Sequence, residues 1–505
     1  MEGTGTMTAK AIMFQGTASD AGKSWVAAAL CRVLEKRGLK VVPFKSQNMA
    51  LNSFITKRGY EMGRAQVFQA EAAKREPDVR MNPILLKPST DKDSQVIIMG
   101  KVYGDLDAVT YQAFKPQLKN RLSQVYDELA NENDVVVMEG AGSPAEINLN
   151  ENDIVNMGMA RIADAPVILV ADIDKGGVFA SIYGTIKLLP KEDQQRIKGI
   201  IINKFRGDKT LLESGNKMIE KLTGVPVIGV LPMSDADLDE EDSVDLVNKS
   251  KVFDASKDID IAVLSLGKIS NFTDFHSLSL QPDVSVRYVN RVTELGVPDL
   301  LIIPGSKNTN EDLKLLREDD FPEAIQRAHN QGTEIVGICG GYQILGRKLL
   351  DPEHIESEIE EQDGLGLLDT VTTFHDVKTT VQSSARAGQY DLHGYEIHMG
   401  QTKRGRDARP LLTITKSSDG ELSHPDGAIS RDGNVWGTYL HGIFDNTVWT
   451  RHVLDELRIA NGMRPLIKSN LSFAKYKDDQ YEKLADLFEK NIDMTAIDKI
   501  LDATD

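Results

Sequence analysis

Short apolar runs rich in Val and Ile alternate, along the first half of the chain, with stretches whose apolar positions recur at helical spacing. The runs Ala11–Phe14, Val41–Phe44, Asp134–Met138, Pro166–Ala171 and Gly199–Ile202 are predicted as buried strands, and Lys23–Arg37 and Arg64–Lys74 as helices between them. Strands apolar on both faces and separated by helices imply a parallel sheet with both sides covered. The stretch Met233–Lys257 breaks the alternation. It carries Asp235, Asp237, Asp239, Glu240, Glu241 and Asp242 with little apolar periodicity, and predicts a solvated linker or surface loop. Beyond it the pattern resumes at Asp260–Leu264, Ser285–Tyr288, Asp299–Ile303 and Glu334–Ile338, and an amphipathic helical tail over Asp478–Asp505 is expected to pack on the surface. The expected fold class is α/β, with two parallel-sheet domains spanning residues 1–250 and 251–505.

Composition narrows the function classes. Of the 505 residues, 41% are hydrophobic and 27% charged, the proportions of a folded chain rather than a disordered one. Fifty-nine basic against 76 acidic side chains give a net charge of −17, which repels a phosphate backbone; no basic cluster offsets it, so nucleic acid is not an expected partner. Two cysteines, Cys31 and Cys339, make no disulfide framework and point to a reducing, cytoplasmic setting. The longest apolar stretches, such as Ala165–Ala171, are strand-length, so no membrane span is expected. Met1–Lys10 lacks the basic-then-apolar order of a signal peptide, and translation could begin at Met1 or Met7.

Two places carry chemistry. The first follows strand Ala11–Phe14, where Gly16-Thr17-Ala18-Ser19-Asp20-Ala21-Gly22-Lys23-Ser24 leads into a helix. Backbone N–H groups and the helix dipole hold phosphate oxygens there, Lys23 offsets their charge, and the Ser24 hydroxyl can ligate Mg²⁺. The spacing is one residue longer than the standard phosphate loop, which has Gly where Thr17 stands. Strand Val135–Met138 delivers Glu139 to the same sheet edge as a second Mg²⁺ ligand, and Asn203, at the end of Ile201–Ile202, can reach a purine edge.

The second place is Gly337-Ile338-Cys339-Gly340-Gly341, a thiol on a Gly-flanked turn from strand to helix, the geometry of a nucleophile elbow. A base must serve it. Val435–Leu440 reads as a strand delivering His441, and His398 in Gly394-Tyr395-Glu396-Ile397-His398 competes for the role. Cys31, inside the first helix, reads as a buried small hydrophobe.

Gly-x5-Gly-Lys-Ser with Glu139-Gly140-Ala141-Gly142 resembles the dethiobiotin synthetase-like branch of P-loop proteins. The Cys339 elbow, Pro304-Gly305-Ser306-Lys307-Asn308-Thr309 and Thr438-Tyr439-Leu440-His441-Gly442 resemble a class I-type glutamine amidotransferase domain. That resemblance places the base at His441 and gives the Gly305 loop a share of the oxyanion site. It also exposes a departure: the acid expected two residues after the histidine is Ile443, leaving a Cys–His dyad or an orienting group elsewhere, for which Asp445 is a weak candidate. From about Lys10 to Asn470 the chain resembles the cobyric acid synthase family, in Pro43-Phe44-Lys45-Ser46-Gln47-Asn48-Met49-Ala50-Leu51-Asn52-Ser53 and Asn203-Lys204-Phe205-Arg206-Gly207-Asp208 and most specifically in Asn48-Met49-Ala50-Leu51-Asn52 and Met81-Asn82-Pro83. The resemblance implies ATP- and glutamine-dependent amidation of the b, d, e and g carboxylates of adenosylcobyrinic acid a,c-diamide through acyl phosphates. Lys45 would join Lys23 at the transferring phosphoryl, and Arg64, Lys87 and Lys92 would face the corrinoid. The rival expectations are an enzyme amidating the a and c carboxylates, and a partition-type switch ATPase with a degenerate amidotransferase tail.

Overall fold

A computed structural model describes residues 9–88, 93–238, 251–420, 423–466 and 472–503. The chain divides into two compact units. One comprises residues up to Ala50, Met62–Leu238 and Tyr476 onward; the other comprises Leu51–Glu61 and Asp239–Lys475. A single cut in the sequence therefore separates neither.

The first unit is built on a six-stranded parallel sheet in the order Val227–Pro232, Ile197–Phe205, Val167–Asp172, Lys10–Gly16, Val135–Glu139, Val41–Phe44. The predicted strands recur, Val41–Phe44 unchanged and the others with ends shifted by one to three residues. Helix Lys23–Lys36 buries Val26, Leu30, Val33 and Leu34 against it. A smaller sheet, absent from the sequence-based expectation, orders strands Gln47–Met49, Ile84–Pro88, Asp93–Ile98 and Lys101–Asp107. The tail is two helices, Phe473–Asn491 and Met494–Asp502. Their Tyr481, Leu484, Phe488, Ile497 and Leu501 join the core of the first sheet, so from Tyr476 onward they complete that core rather than merely covering a surface. Of the acidic stretch expected at 233–257 as a solvated loop, residues 239–250 lie outside the described residues, whereas Ala236 and Leu238 are buried in the core of the first unit.

The second unit has its own sheet, in the order Val284–Val289, Ile259–Leu264, Leu300–Ile303, Glu334–Ile338, Val435–Thr438 and Ala428–Ile429. All neighbours are parallel except the last. Beside it runs a long antiparallel hairpin, Thr370–Ala387 with Tyr390–Arg404, whose inward positions alternate along the strand. Among the described residues no helix is long and apolar enough to cross a membrane.

Candidate active site

In the first unit the sheet edge, the phosphate loop and the following helix converge. Gly16 ends the first strand, and the Thr17 N–H donates to the Val170 carbonyl of the neighbouring strand at 2.9 Å. Asp20 and Gly22 both lie in the left-handed region, φ 55° and 90°. A Cβ at Gly22 would sit 2.1 Å from the Asn203 amide nitrogen, so only glycine lets the loop close over that side chain. Asn203 therefore sits beneath the loop and donates to the Ala21 carbonyl at 2.9 Å. The Asp20 carboxylate is on the solvent side, 3.6 Å from Lys175 Nζ, while Lys204 Nζ donates to the Asp20 carbonyl. Lys23 Nζ folds back onto the loop, donating to the Ala18 carbonyl at 3.1 Å.

Glu139 is the hub. Its Oε1 accepts from Ser24 Oγ and from Lys45 Nζ, each at 2.9 Å, and its Oε2 accepts from the Gln69 amide. Lys23, Ser24, Lys45, Gln69 and Glu139 are all buried. The fold thus gathers the loop Lys-Ser pair, the acid from the adjacent strand and the lysine from the end of Val41–Phe44. Gln69, on helix Arg64–Ala72, went unnoticed because a mid-helix amide carries no motif. Two hard oxygens, the Ser24 hydroxyl and the Glu139 carboxylate, fit the donor set Mg²⁺ takes when phosphate and water complete its shell. Of the residues expected to face a corrinoid, Arg64 and Lys87 are buried in this unit, and Lys92 lies outside the described residues.

In the second unit, strand Glu334–Ile338 ends at Cys339, which adopts φ 52°, ψ −110° before the short helix Gly340–Ile344. A non-glycine residue held there is strained, as a nucleophile elbow requires. The turn must run tight against the neighbouring strand: a Cβ at Gly341 would fall 1.9 Å from the Ile303 carbonyl oxygen. Cys339 Sγ lies 3.4 Å from the Ile397 carbonyl oxygen and is near enough to His441 to raise the imidazole pKa. Gly305 borders the His441 ring, and Ser306 borders Gly340.

The orienting acid is Asp274. Its Oδ2 is 2.7 Å from His441 Nδ1, and its Oδ1 accepts from the Gly442 N–H at 3.2 Å. Both partners are buried. Burial disfavours the imidazolium, but attraction from Asp274 and then from the Cys339 sulfur outweighs it and lifts the His441 pKa to about 10. Asp445, the candidate acid named from the sequence, is exposed, and His441 Nδ1 is already taken by Asp274. His398 is held elsewhere: its Nδ1 pairs with the Gly400 carbonyl at 2.8 Å and its ring stacks on Tyr439 at 3.7 Å. Cys339, His441 and Asp274 thus form a Cys–His–Asp constellation able to attack an amide carbon, with a histidine placed to move the proton. Asp274 stands 167 residues before His441 on the short turn Phe272–Phe275, and no spacing in the sequence links the two.

Comparison with known proteins agrees with both halves. Residues 12–245 match the family described as the CobQ/CobB/MinD/ParA nucleotide binding domain, and residues 260–449 match the CobB/CobQ-like glutamine amidotransferase domain. The cobyric acid synthase of Limosilactobacillus reuteri (strain DSM 20016) is 70% identical over 98% of this chain and 99% of its own length. That of Streptococcus sanguinis (strain SK36) is 60% identical over 97% of this chain and 99% of its own. That of Listeria monocytogenes serotype 4b (strain CLIP80459) is 56% identical over 97% of this chain and 96% of its own. With identity of this order along nearly the whole length of each, the chain belongs to the cobyric acid synthase family.

Proposed function

We propose that this chain uses ATP and glutamine to amidate the b, d, e and g carboxylates of adenosylcobyrinic acid a,c-diamide, yielding adenosylcobyric acid in cobalamin biosynthesis. The observation that carries the reading is the coexistence on one chain of a buried phosphate-loop constellation around Glu139 and an intact Cys339–His441–Asp274 centre. In this reading residues 1–250 hold the amidoligase and residues 251–505 the amidotransferase, apart from the two exchanged segments.

Cys339 attacks the glutamine side-chain amide, and His441 hands the proton to the departing ammonia. The resulting thioester is hydrolysed to glutamate. In the other half, a corrinoid carboxylate is too poor an electrophile for ammonia until the ATP γ-phosphoryl is transferred to it. Loop N–H groups, Lys23 and Lys45 offset the charge on that phosphoryl group, and Asn203 keeps the loop in shape. Mg²⁺ held by Ser24 and Glu139 would supply the remaining positive charge at the phosphates. The carboxylate-rich corrinoid calls for a cationic, polar lining in this acidic protein. Arg64 and Lys87 suit it, as does buried Gln66, whose amide finds no hydrogen-bond partner among the described residues.

Glutamine-dependent ADP release, measured with and without corrinoid acids, tests the reading. Release only with the a,c-diamide is expected. Release with cobyrinic acid but not the diamide would support the enzyme of the a and c carboxylates. Release indifferent to any corrinoid would support the switch ATPase.

A further inference from the structure

The segment Leu51–Glu61 belongs to the second unit, although the chain on either side of it belongs to the first. Its strand Ser53–Ile55 meets the immediate supports of all three members of the Cys339–His441–Asp274 centre. The Ser53 N–H donates to Asn271 Oδ1 at 3.0 Å. Asn271, itself left-handed at φ 53°, starts the turn that carries Asp274, and its carbonyl accepts the Asp274 N–H at 3.1 Å. The Ser53 carbonyl accepts from the Tyr395 hydroxyl at 3.4 Å, and the Phe54 ring lies 5.5 Å from the Tyr395 ring. Tyr395 in turn stacks on His441, centroids 5.1 Å apart and planes 14° from parallel, and the two residues exchange both backbone hydrogen bonds. Ile55 is buried with Ile397, whose carbonyl oxygen meets Cys339 Sγ. The far end of the segment is anchored by the partly buried Lys378–Glu61 ion pair at 2.6 Å and by Thr380 Oγ1 donating to the Gly59 carbonyl.

From this arrangement we infer that Ser53–Ile55, acting through Tyr395, is a positioning element for the glutaminase centre, lent to it by the same run of chain that carries Lys45 at the phosphate site. Tyr395 fixes the plane of the His441 ring, Ser53 fixes the start of the Asp274 turn, and Phe54 and Ile55 hold the wall behind Cys339. Their contacts run to the Asp274 turn, the His441 ring and the Ile397 strand, so each acts through a triad member. The inference rests on Cys339–His441–Asp274 being the glutaminase centre. It also gives a physical reason for Ser53, the last residue of the Pro43–Ser53 run.

The test compares Tyr395→Leu, Tyr395→Phe and Phe54→Ala in the full chain, measuring kcat and KM for glutamine beside turnover driven by ammonium. Misplacing a base by a fraction of an ångström acts on the reactive geometry rather than on substrate affinity. Tyr395→Leu and Phe54→Ala should each lower glutamine-dependent kcat about tenfold or more, with KM for glutamine and ammonium-driven turnover within about twofold of the parent. Tyr395→Phe, which keeps the stacked ring, should restore most of the lost kcat. A parallel fall of ammonium- and glutamine-driven turnover would overturn the inference, as would a change confined to KM, a Tyr395→Leu enzyme with unchanged kcat, or a Phe variant as impaired as Leu. Cys339→Ala in the same assay separates the two levels: if it still hydrolyses glutamine, the centre itself is misassigned, whatever Tyr395 does.

Discussion

Replacing Asp274 by Asn keeps the shape of the side chain and removes one charge from beneath His441. Both carboxylate oxygens are committed, Oδ2 to His441 Nδ1 and Oδ1 to the Gly442 N–H. An amide can supply only one acceptor. If it serves Gly442, its NH₂ faces Nδ1 and drives the imidazole proton to Nε2, the wrong tautomer for a base that must accept the Cys339 proton. The charge loss can be sized from the titration of the ring. Raising His441 from an ordinary 6.5 to about 10 corresponds to roughly 5 kcal/mol of imidazolium stabilisation. Asp274 is the larger of the two favourable contributors, so its loss removes a few kcal/mol of that stabilisation. That alone is about 10²-fold in rate, and the tautomer error brings the expected loss of glutamine-dependent kcat to between about 10² and 10⁴. Ammonium-driven synthesis should persist, because the phosphate site is untouched. The assay is glutamate release alongside ammonium-driven ADP formation. An Asp274→Asn enzyme within threefold of the parent, or an Asp445→Asn enzyme equally impaired, would refute the argument.

Lys23→Ala should abolish synthesis with either glutamine or ammonium, a loss on the order of 10²-fold or more, because phosphates need that charge whatever the source of nitrogen; substantial ammonium-driven turnover would count against the phosphate site. Glu139→Gln should weaken Mg²⁺-dependent turnover and, by breaking the buried Lys45–Glu139 ion pair, lower stability, read as a fall in denaturation midpoint. Cys339→Ala should lose glutaminase but keep ammonium-driven amidation, while His398→Ala should keep glutaminase activity; a dead His398→Ala beside an active His441→Ala would reverse the base assignment. Because the folded-state pKa of His441 is raised, its contribution to stability is fully present below about 6.5 and lost as pH rises through about 10. The stability difference between parent and Asp274→Asn should therefore shrink over that range, and a pH-independent difference would contradict the ion pair.

The legible parts of the molecule are those where chemistry rides on a periodic element. A run such as Ala11–Phe14, apolar on both faces and followed by Gly and Lys-Ser, can hardly be anything but a central strand feeding a phosphate loop. The Gly-flanked Cys339 is equally constrained by its elbow. The hairpin Thr370–Ala387 with Tyr390–Arg404 was invisible for a specific reason: buried positions of its first strand include Thr370, Thr372, Ser383 and Ala385, small or polar residues that erase the apolar alternation of a half-buried strand. Asp274 sits on a single turn with no periodicity, and what identifies it is proximity to a histidine far along the chain. The tail's amphipathicity was readable, but not which core it completes, since an apolar stripe does not name its partner. For the same reason nothing local in Leu51–Glu61 says that it leaves the unit of its neighbours.

The pairing of the tail with helix Lys23–Lys36 bears on how the polypeptide comes to be folded at all. Arg32, almost wholly enclosed, meets Asp478 at 2.8 Å and Glu482 at 3.1 Å, and its guanidinium lies over the Tyr481 ring. The Arg32–Glu482 contact closes a loop of 450 residues. On a ribosome adding about 5–20 residues each second, helix Lys23–Lys36 emerges tens of seconds before the segment that seals it. Through that interval the apolar surface later covered by Leu484, Phe488 and Ile497 stays open, and Arg32 faces solvent until its counter-charges arrive. That open apolar surface makes the nascent chain prone to aggregation until these helices arrive. A premature stop anywhere before about residue 480 leaves the nucleotide-binding half unfinished, marking the fragment for proteolysis.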